Sequence, residues 1–503
     1  MADTWMAQRA AGVVLHPTSL PGPHGAGDFG PDAYYFIDWL HTAGQTLWQT
    51  LPLGPVGPGH SPYMGSSAFA GNPLLVAFEP LVDRGWLDAK CLDTTWDDER
   101  IDYTLLMPWR LARLREAFAG FEQLASAQDR AELAQWVQTQ AVWLDDYTLF
   151  MALDQAFDHT LWPEWPPALA MRDPAALASA RSTYAQEIAF WCFVQWQFEL
   201  QWQAIKNYAH GKGVRLVGDL PIFVAHHSAD CWARPDLYVL DDAGHPGVVA
   251  GVPPDFFSET GQRWGNPLYN WEAMAQDGYR WWIERVRRQL HLADVIRIDH
   301  FRGFVDYWEI PAQEPTAMHG RWRPGPGDAL FNALAQALGD LPIIAEDLGI
   351  ITDEVRALRE RTGFPGMRVL QFAFSGDAGN AFLPHNFEPN TVVYTGTHDN
   401  DTVPGWWVSA NAHERAFAAL YLGTESHVVH WAMVRAASLS VARLSLCQFQ
   451  DVLGLDGQHR MNTPGTMGCW SWRFKWEWVK PEVAKQLLAI TAASGRVGFH
   501  RLM

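Results

Sequence analysis

Cysteine is scarce in this chain, and long apolar runs are missing. The five cysteines among 503 residues, Cys91, Cys192, Cys231, Cys447 and Cys469, are scattered, odd in number and form no CxxC pair. A disulfide framework and a zinc site are both left without support, and no metal is expected. No apolar stretch approaches the length needed to cross a bilayer, so no membrane association is expected. The start, MADTWMAQRAAGVVLHP, has one Arg and only a short apolar patch, too little for a signal peptide, and the expected location is cytoplasmic. Positive charge is short as well: 37 Lys+Arg face 56 Asp+Glu, a formal charge of −19, and no basic run could neutralise a phosphate backbone. No nucleic-acid partner is expected. Internal repeats and low-complexity tracts are absent.

Core material, by contrast, is plentiful. Hydrophobic residues make up 48% and charged residues 18%, the balance of a globular chain. The length allows several domains or one large α/β barrel with insertions. Tryptophan is abundant at 27 residues, many of them beside Gly, Pro or charged residues. Flat aromatic faces near polar groups suit sugar rings, while others of these residues serve as packing.

Strand-like segments recur along the chain, separated by helical stretches or long excursions. Eight stand out: Gly12 to Leu15, Thr46 to Leu51, Val214 to Asp219, Val295 to Asp299, Ile343 to Asp347, Met367 to Phe372, Val392 to Thr397 and Leu444 to Phe449. This alternation predicts an α/β fold, a (β/α)8 TIM barrel with catalytic groups at the carboxyl ends of the strands.

Uneven spacing locates the insertions. The first gap holds one helix, Asp32 to Ala43, beginning after Pro31 and closing at Gly44. The second gap is too long for one helix and carries helical segments around Leu105 to Phe118, Arg130 to Phe157 and Tyr184 to His210. It predicts a mainly helical insertion over 54–212. Phe190, Trp191, Phe193, Trp196 and Phe198 in its last helix read as core packing. A second insertion, 225–279, carries AGVPPDFFSETGQRWGNPLYNW, whose Pro, Gly, Ser and Asn forbid long regular elements. A loop over the barrel mouth is expected, either a mobile lid or a rigid loop anchored by tryptophan; Glu259, Gln262 and Trp264 favour the lid. After Asp451 there remain a loop and a final helix near Pro481 to Ser494, with no room for a C-terminal β domain. The whole, 1–503, reads as a single barrel.

The chemistry begins in VIRIDHFRGF, Val295 to Phe304. On a period of two, Arg297 and Asp299 point to the same side. A carboxylate beside a permanent cation stays ionised, which suits a nucleophile, but a buried structural ion pair has the same pattern. Glu346 closes the fifth strand in PIIAEDLG with Asp347 on the opposite face. One of the two looks into the barrel mouth, and spacing alone leaves open which. A glutamate there, in a partly apolar pocket, suits a general acid and base; Asp347 reads as a helix N-cap. In TGTHDNDT, His398 and Asp399 are placed to grip two hydroxyls of one sugar, while Asn400 and Asp401 shape the loop. Asp219 ends the third strand at a corner before Pro221, where a turn or a site fits equally. Four acids on one predicted rim favour an active site for glycoside chemistry.

These motifs carry a resemblance. SPYMGSSAFAGNPLL (Ser61 to Leu75), GDLPIFVA (Gly218 to Ala225), PPDFFSETGQRWGNPLYNW (Pro253 to Trp271), RIDHFRGF, AEDLG (Ala345 to Gly349), GTHDNDT and RMNTPGT (Arg460 to Thr466) together resemble glycoside hydrolase family 77. These are the 4-α-glucanotransferases, also called amylomaltases or disproportionating enzymes, of the α-amylase superfamily. The likeness runs from about Gly12 to the C-terminus. It implies that Asp299 is the nucleophile forming a covalent β-glucosyl intermediate, that Glu346 is the general acid and base, and that Asp399 stabilises the transition state. It further implies that Arg297 orients the nucleophile, that His300 and His398 contact the donor ring, and that Asp219 supports that subsite. Tyr63 and Trp264 would be aromatic platforms, Trp264 on the lid, and Asn462 would line the cleft. The implied substrates are α-1,4-glucans, with glucose among the acceptors, and no cofactor. Two positions depart from the family pattern, Cys469 where Asn is usual and Asp456 where Gly is usual; both bear on acceptor binding or local turn geometry.

Overall fold

The computed structural model describes residue 6 and residues 8–254, 258–424 and 426–497. Asp255, Phe256 and Phe257 of the PPDFFSETG motif lie outside the described residues, as does most of the MADTWMA start. Among the described residues twelve strands follow in chain order: β1 (Ala10–Val14), β2 (Leu47–Gln49), β3 (Arg215–Leu220), β4 (Val248–Val252), β5 (Gln262–Pro267) and β6 (Val295–Ile298), then β7 (Asp306–Pro311), β8 (Arg321–Pro324), β9 (Ile343–Ala345), β10 (Gly366–Val369), β11 (Thr391–Tyr394) and β12 (Leu444–Gln448).

Eight of them close a parallel barrel in the order β1-β2-β3-β6-β9-β10-β11-β12, with Ala10 of β1 facing Leu444 of β12. All eight expected strands are present, most of them shorter than expected at their carboxyl ends, where the chain leaves the ladder to deliver polar side chains. The strands read as continuous apolar runs, not as alternating ones, because both faces are covered. Val295 packs inside the barrel with Val217, Ile344, Met367, Val392 and Leu444. Ile296 and Ile298 pack in the layer outside with Phe301, Ile343 and Ala345. Gly12 marks a close crossing of β1 and β2: a Cβ there would stand 2.4 Å from that of Leu47.

Helices cover the outside. Pro31–Thr42 begins on proline and links β1 to β2, and Asp353–Thr362 stops at Gly363, whose φ of 74° is the left-handed C-terminal turn. Between β2 and β3 run the long helices Tyr103–Leu124, Ala127–Ala156 and Ala185–Gly211. The first starts earlier than expected because Asp102 caps it; the second is fixed by a Ser126/Asp129 capping box. Phe190, Trp191, Phe193, Trp196 and Phe198 are buried in the main core, as packing residues should be. Among the described residues no helix is long and apolar enough to cross a membrane.

The stretch after β3 departs from the expectation of irregular loop. β4 and β5 pair antiparallel, and β4 pairs with β7 and β7 with β8, giving a second, four-stranded sheet in the order β5-β4-β7-β8. β4, VVAGV, is apolar, but its partners QRWGNP, DYWEIP and RWRP lack apolar runs, and β4 finds β7 far away in sequence, Val248 opposite Pro311 for example. Local composition therefore signalled β4 alone and not the sheet it joins.

Candidate active site

Arg297 stands on top of the apolar barrel interior, on the same side of β6 as Val295, and is 4% exposed. Its neighbour in β3 is Asp219. Nη1 of Arg297 donates to both Asp219 oxygens at 2.8 Å, and Nη2 donates to Asp299 Oδ1 at 2.9 Å. The hydroxyl of Tyr63 donates to Asp219 at 2.7 Å. Burial works against the guanidinium charge, but Asp219 and then Asp299 outweigh it, so the cation is held charged. Asp219 is fully enclosed, whereas the Asp299 side chain keeps 30% of its surface open at the barrel mouth.

After Asp299 the chain turns sharply. His300 adopts φ 53°, a left-handed conformation uncommon for a residue with a Cβ, and enters the short helical turn Phe301–Phe304. The turn aims the His300 backbone N–H at Glu346, whose Oε2 accepts it at 2.6 Å, while Oε1 accepts from the N–H of Leu348 at 2.9 Å. Burial first, and the charge of Asp299 second, push the Glu346 carboxyl up to about 7; Arg297 and the two N–H groups oppose them. Burial pushes the His300 imidazole down to about 4, so it is neutral near pH 7. Among the described residues its Nε2 has no hydrogen-bond partner, and the ring meets Trp264 edge to face at 4.9 Å. Trp264 lies in a bulge of the β4/β5 pair beside Gly265 at φ 83°, which frees it from the strand's alternation.

The choice between Glu346 and Asp347 is decided here. Asp347 turns outward, accepting from Arg359 Nη1 at 2.8 Å and the Met367 N–H at 2.7 Å, with Arg368 at 3.5 Å. It is not an N-cap as expected; Thr352 occupies that place for the helix Asp353–Thr362. A buried carboxylate between two guanidiniums has more to gain there than at a helix end.

Asp399 follows β11 on the loop 395–402. Asn400 shapes that loop as expected, its Oδ1 accepting from the Thr397 N–H and hydroxyl at 2.8 and 2.9 Å. The Asp399 side chain is 47% exposed, and its Oδ1 lies 3.5 Å from His398 Nε2. Asn462 does more than line the cleft: its Nδ2 donates to Asp399 Oδ1 at 2.6 Å and its N–H to the His398 carbonyl at 3.1 Å. Tyr63 is stacked on His398 with ring centroids 5.1 Å apart. All ten residues singled out from sequence thus belong to one connected mouth at the carboxyl ends of the strands.

Two supporting residues escaped the sequence reading. Arg460 donates to the Asp399 carbonyl at 2.7 Å and to the Asn462 carbonyl at 2.8 Å; its place in RMNTPGT was the available signal. Asp451, inside the apolar helix FQDVL, accepts from the Thr395 hydroxyl and the Val403 N–H, each at 2.6 Å, and so fastens both ends of the Asp399 loop. Burial pushes its carboxyl up to about 7. As for the departures, the Cys469 sulfur sits 3.3 Å from the Thr463 N–H and holds the loop beyond Asn462, and Asp456 caps a short turn through the Gln458 N–H.

The pattern of known proteins matches this chain along its length. The profile of glycoside hydrolase family 77, described as 4-alpha-glucanotransferase, covers residues 15–479. A 4-alpha-glucanotransferase of Thermus thermophilus is 49% identical over 498 residues, 97% of this chain and 99% of that one. One from Synechocystis is 45% identical over 500 residues, 98% of this chain and 99% of that protein. Among solved structures, an amylomaltase from Streptococcus agalactiae in complex with acarbose superposes with a TM-score of 0.95 at 37% identity, covering 98% of this chain and 100% of that chain. Likeness of this extent takes in every barrel strand from β2 to β12 and all four rim acids, and the chain belongs to glycoside hydrolase family 77, the 4-alpha-glucanotransferases.

Proposed function

We propose that this enzyme moves α-1,4-glucan segments from a donor to the 4-hydroxyl of an acceptor glucan or glucose, with retention at the anomeric carbon. The observation that carries the reading is the contrast between two neighbouring carboxyls: Asp299 is bound by Arg297 Nη2, while Glu346 is pushed up to about 7 by burial and by Asp299 itself. Environments that separate two acids in this way assign the roles of nucleophile and proton donor.

In the first step Glu346 gives its proton to the glycosidic oxygen as an Asp299 oxygen bonds to the anomeric carbon, and the leaving chain departs with a free 4-hydroxyl. In the second, Glu346 takes the proton from the incoming 4-hydroxyl, and that oxygen displaces Asp299. Arg297, anchored by Asp219, holds the nucleophile's orientation, and Tyr63 locks Asp219. Asp399, gripped by Asn462, and the neighbouring His398 face the donor ring's hydroxyls. The neutral His300 offers Nε2 to the same ring. Trp264 is the aromatic platform of a lid, 225–279, that keeps water from the intermediate, and 54–212 is a helical insertion in a single barrel.

Incubation with maltotriose tests the reading. A ladder of longer oligosaccharides together with glucose is expected. Only shorter products, with reducing ends rising, would mean a hydrolase built on the same acids. Asp299→Asn is expected to abolish turnover and leave glucan binding intact.

A further inference from the structure

Half of the RIDHFRGF motif, Phe301 to Phe304, takes no part in the chemistry above. Its buried cation, Arg302, spends all three guanidinium nitrogens on fixed partners. Nε and Nη2 donate to Asp306 at 2.8 and 3.1 Å, and Nη1 donates to the Ile350 carbonyl at 2.5 Å. Arg302 thereby ties the segment following Asp299 and His300 to the segment following Glu346. Its flat face is covered by Trp322 of β8, with the guanidinium carbon 3.7 Å from the ring centroid.

Trp322 is peculiar in its setting. It lies on an edge strand whose four residues are all exposed, and at 37% it is the most exposed tryptophan among the described residues. Trp308, its register partner in β7, meets it at an angle with ring centroids 5.1 Å apart. The indole is therefore clamped by Arg302 and Trp308 while a large part of its surface faces solvent. Two residues with exposed apolar side chains are tied to the clamp through the backbone: Ile350, whose carbonyl Arg302 holds, and Met318, next to the Ala317 carbonyl that Trp308 Nε1 reaches at 2.9 Å. Arg321 and Arg323 lie to either side of Trp322 in sequence, and both pair with Glu309.

We propose that Trp322, with Ile350 and Met318, is a platform for a stretch of the α-glucan substrate outside the catalytic cleft. A pyranose ring has an apolar C–H face, and the patch offers a flat indole held on one side by Arg302 and exposed to solvent over 37% of its surface. Because the indole is already immobilised, a sugar that stacks on it orders little new protein. The location favours the enzyme's own polymer over another occupant. The same sheet carries Trp264 on its other edge strand against His300, and Arg302 beneath Trp322 is bolted to both catalytic segments. A glucan that leaves the cleft across this sheet would run from the edge strand of Trp264 toward the edge strand of Trp322.

The inference rests on the transferase reading above, and the test separates the two. The ratio of kcat/KM on soluble amylose to kcat/KM on maltotriose is measured for the unaltered chain, Trp322→Leu and Trp322→Tyr. Leu keeps an apolar cover over Arg302 without a flat ring, and Tyr keeps a ring. The ratio does not depend on the fraction of enzyme that folds. It is expected to fall about tenfold in Trp322→Leu, the scale of a lost stacking contact, and by less in Trp322→Tyr. Retardation in amylose-containing gels, which needs no turnover, should fall in the same order. An unchanged ratio in Trp322→Leu, or equal falls in both variants, overturns the platform. If the unaltered chain transfers nothing from maltotriose, the transferase reading fails, and the gel retardation still decides whether Trp322 binds glucan.

Discussion

The backbone N–H of His300 donates to Oε2 of Glu346 at 2.6 Å, so the residue that follows Asp299 in the chain grips the side chain of its partner acid. The bond favours the charged form of Glu346, yet burial and the charge of Asp299 win and set the carboxyl at about 7. Activity that needs protonated Glu346 should fall as pH rises through that value. A kcat/KM profile on maltotriose checks this, and an alkaline limb above pH 9 would contradict it.

The same carboxyl has a stability consequence. Its folded value lies above the 4.5 of the free group, so the stability it contributes is complete below pH 4.5 and is lost as pH rises through about 7. Glu346→Gln, which never charges, should therefore be more stable than the parent at pH 8 by on the order of 1–3 kcal/mol, with the gap closing toward pH 4.5. Urea unfolding at the two pH values measures the difference.

Arg297 neutralises two buried or half-buried carboxylates at once. Arg297→Met leaves both without their cation and should cost about 3–5 kcal/mol of stability. The loss of activity should exceed what the unfolded fraction explains, because Asp299 also loses its orientation. Active-site titration alongside denaturant melts distinguishes the two effects.

Asn462 holds Asp399 through its Nδ2 at 2.6 Å. Asn462→Asp places a second carboxylate at that distance and should lower kcat by more than Asn462→Ala, which only removes the donor. Asn462→Ala is expected to cost about 1–3 kcal/mol of transition-state stabilisation. Equal kcat values for the two variants would show that the contact carries no electrostatic weight.

Asp451 fastens the Asp399 loop from a fully buried position. Asp451→Leu leaves the Thr395 hydroxyl and Val403 N–H without an acceptor, and about 2–4 kcal/mol of stability should go with them. Asp451→Asn keeps one acceptor and should recover a large part of that loss, read as the difference in melting temperature.

Much of this site was legible in one dimension because barrel strands are short, apolar and bounded by polar residues. The ends of β3, β6, β9 and β11 announced Asp219, Asp299, Glu346 and Asp399 in that way. The reading ran out where neighbours in space are strangers in sequence. Glu346 and Asp347 are adjacent and chemically alike, and only the positions of Arg359 and Arg368 draw Asp347 outward. The sheet β5-β4-β7-β8 was missed because three of its strands, β5, β7 and β8, are polar and aromatic and the pairing of Val248 with Pro311 joins residues far apart in sequence. Asp451 gave no sign of itself, since a lone acid in an apolar helix takes its meaning from Thr395 and Val403.

Sequence alone determined the alternation of strands and helices, the side of β6 that bears Arg297 and Asp299, and the identity of the motifs, because periodicity and residue type are local properties. Tertiary structure decided which acid faces the mouth, how far Glu346 is pushed from its ordinary value, and which residues hold Asp399 and Trp322 in place. Those outcomes depend on burial and on charges a few ångströms away across the barrel, and neither exists until the chain has closed.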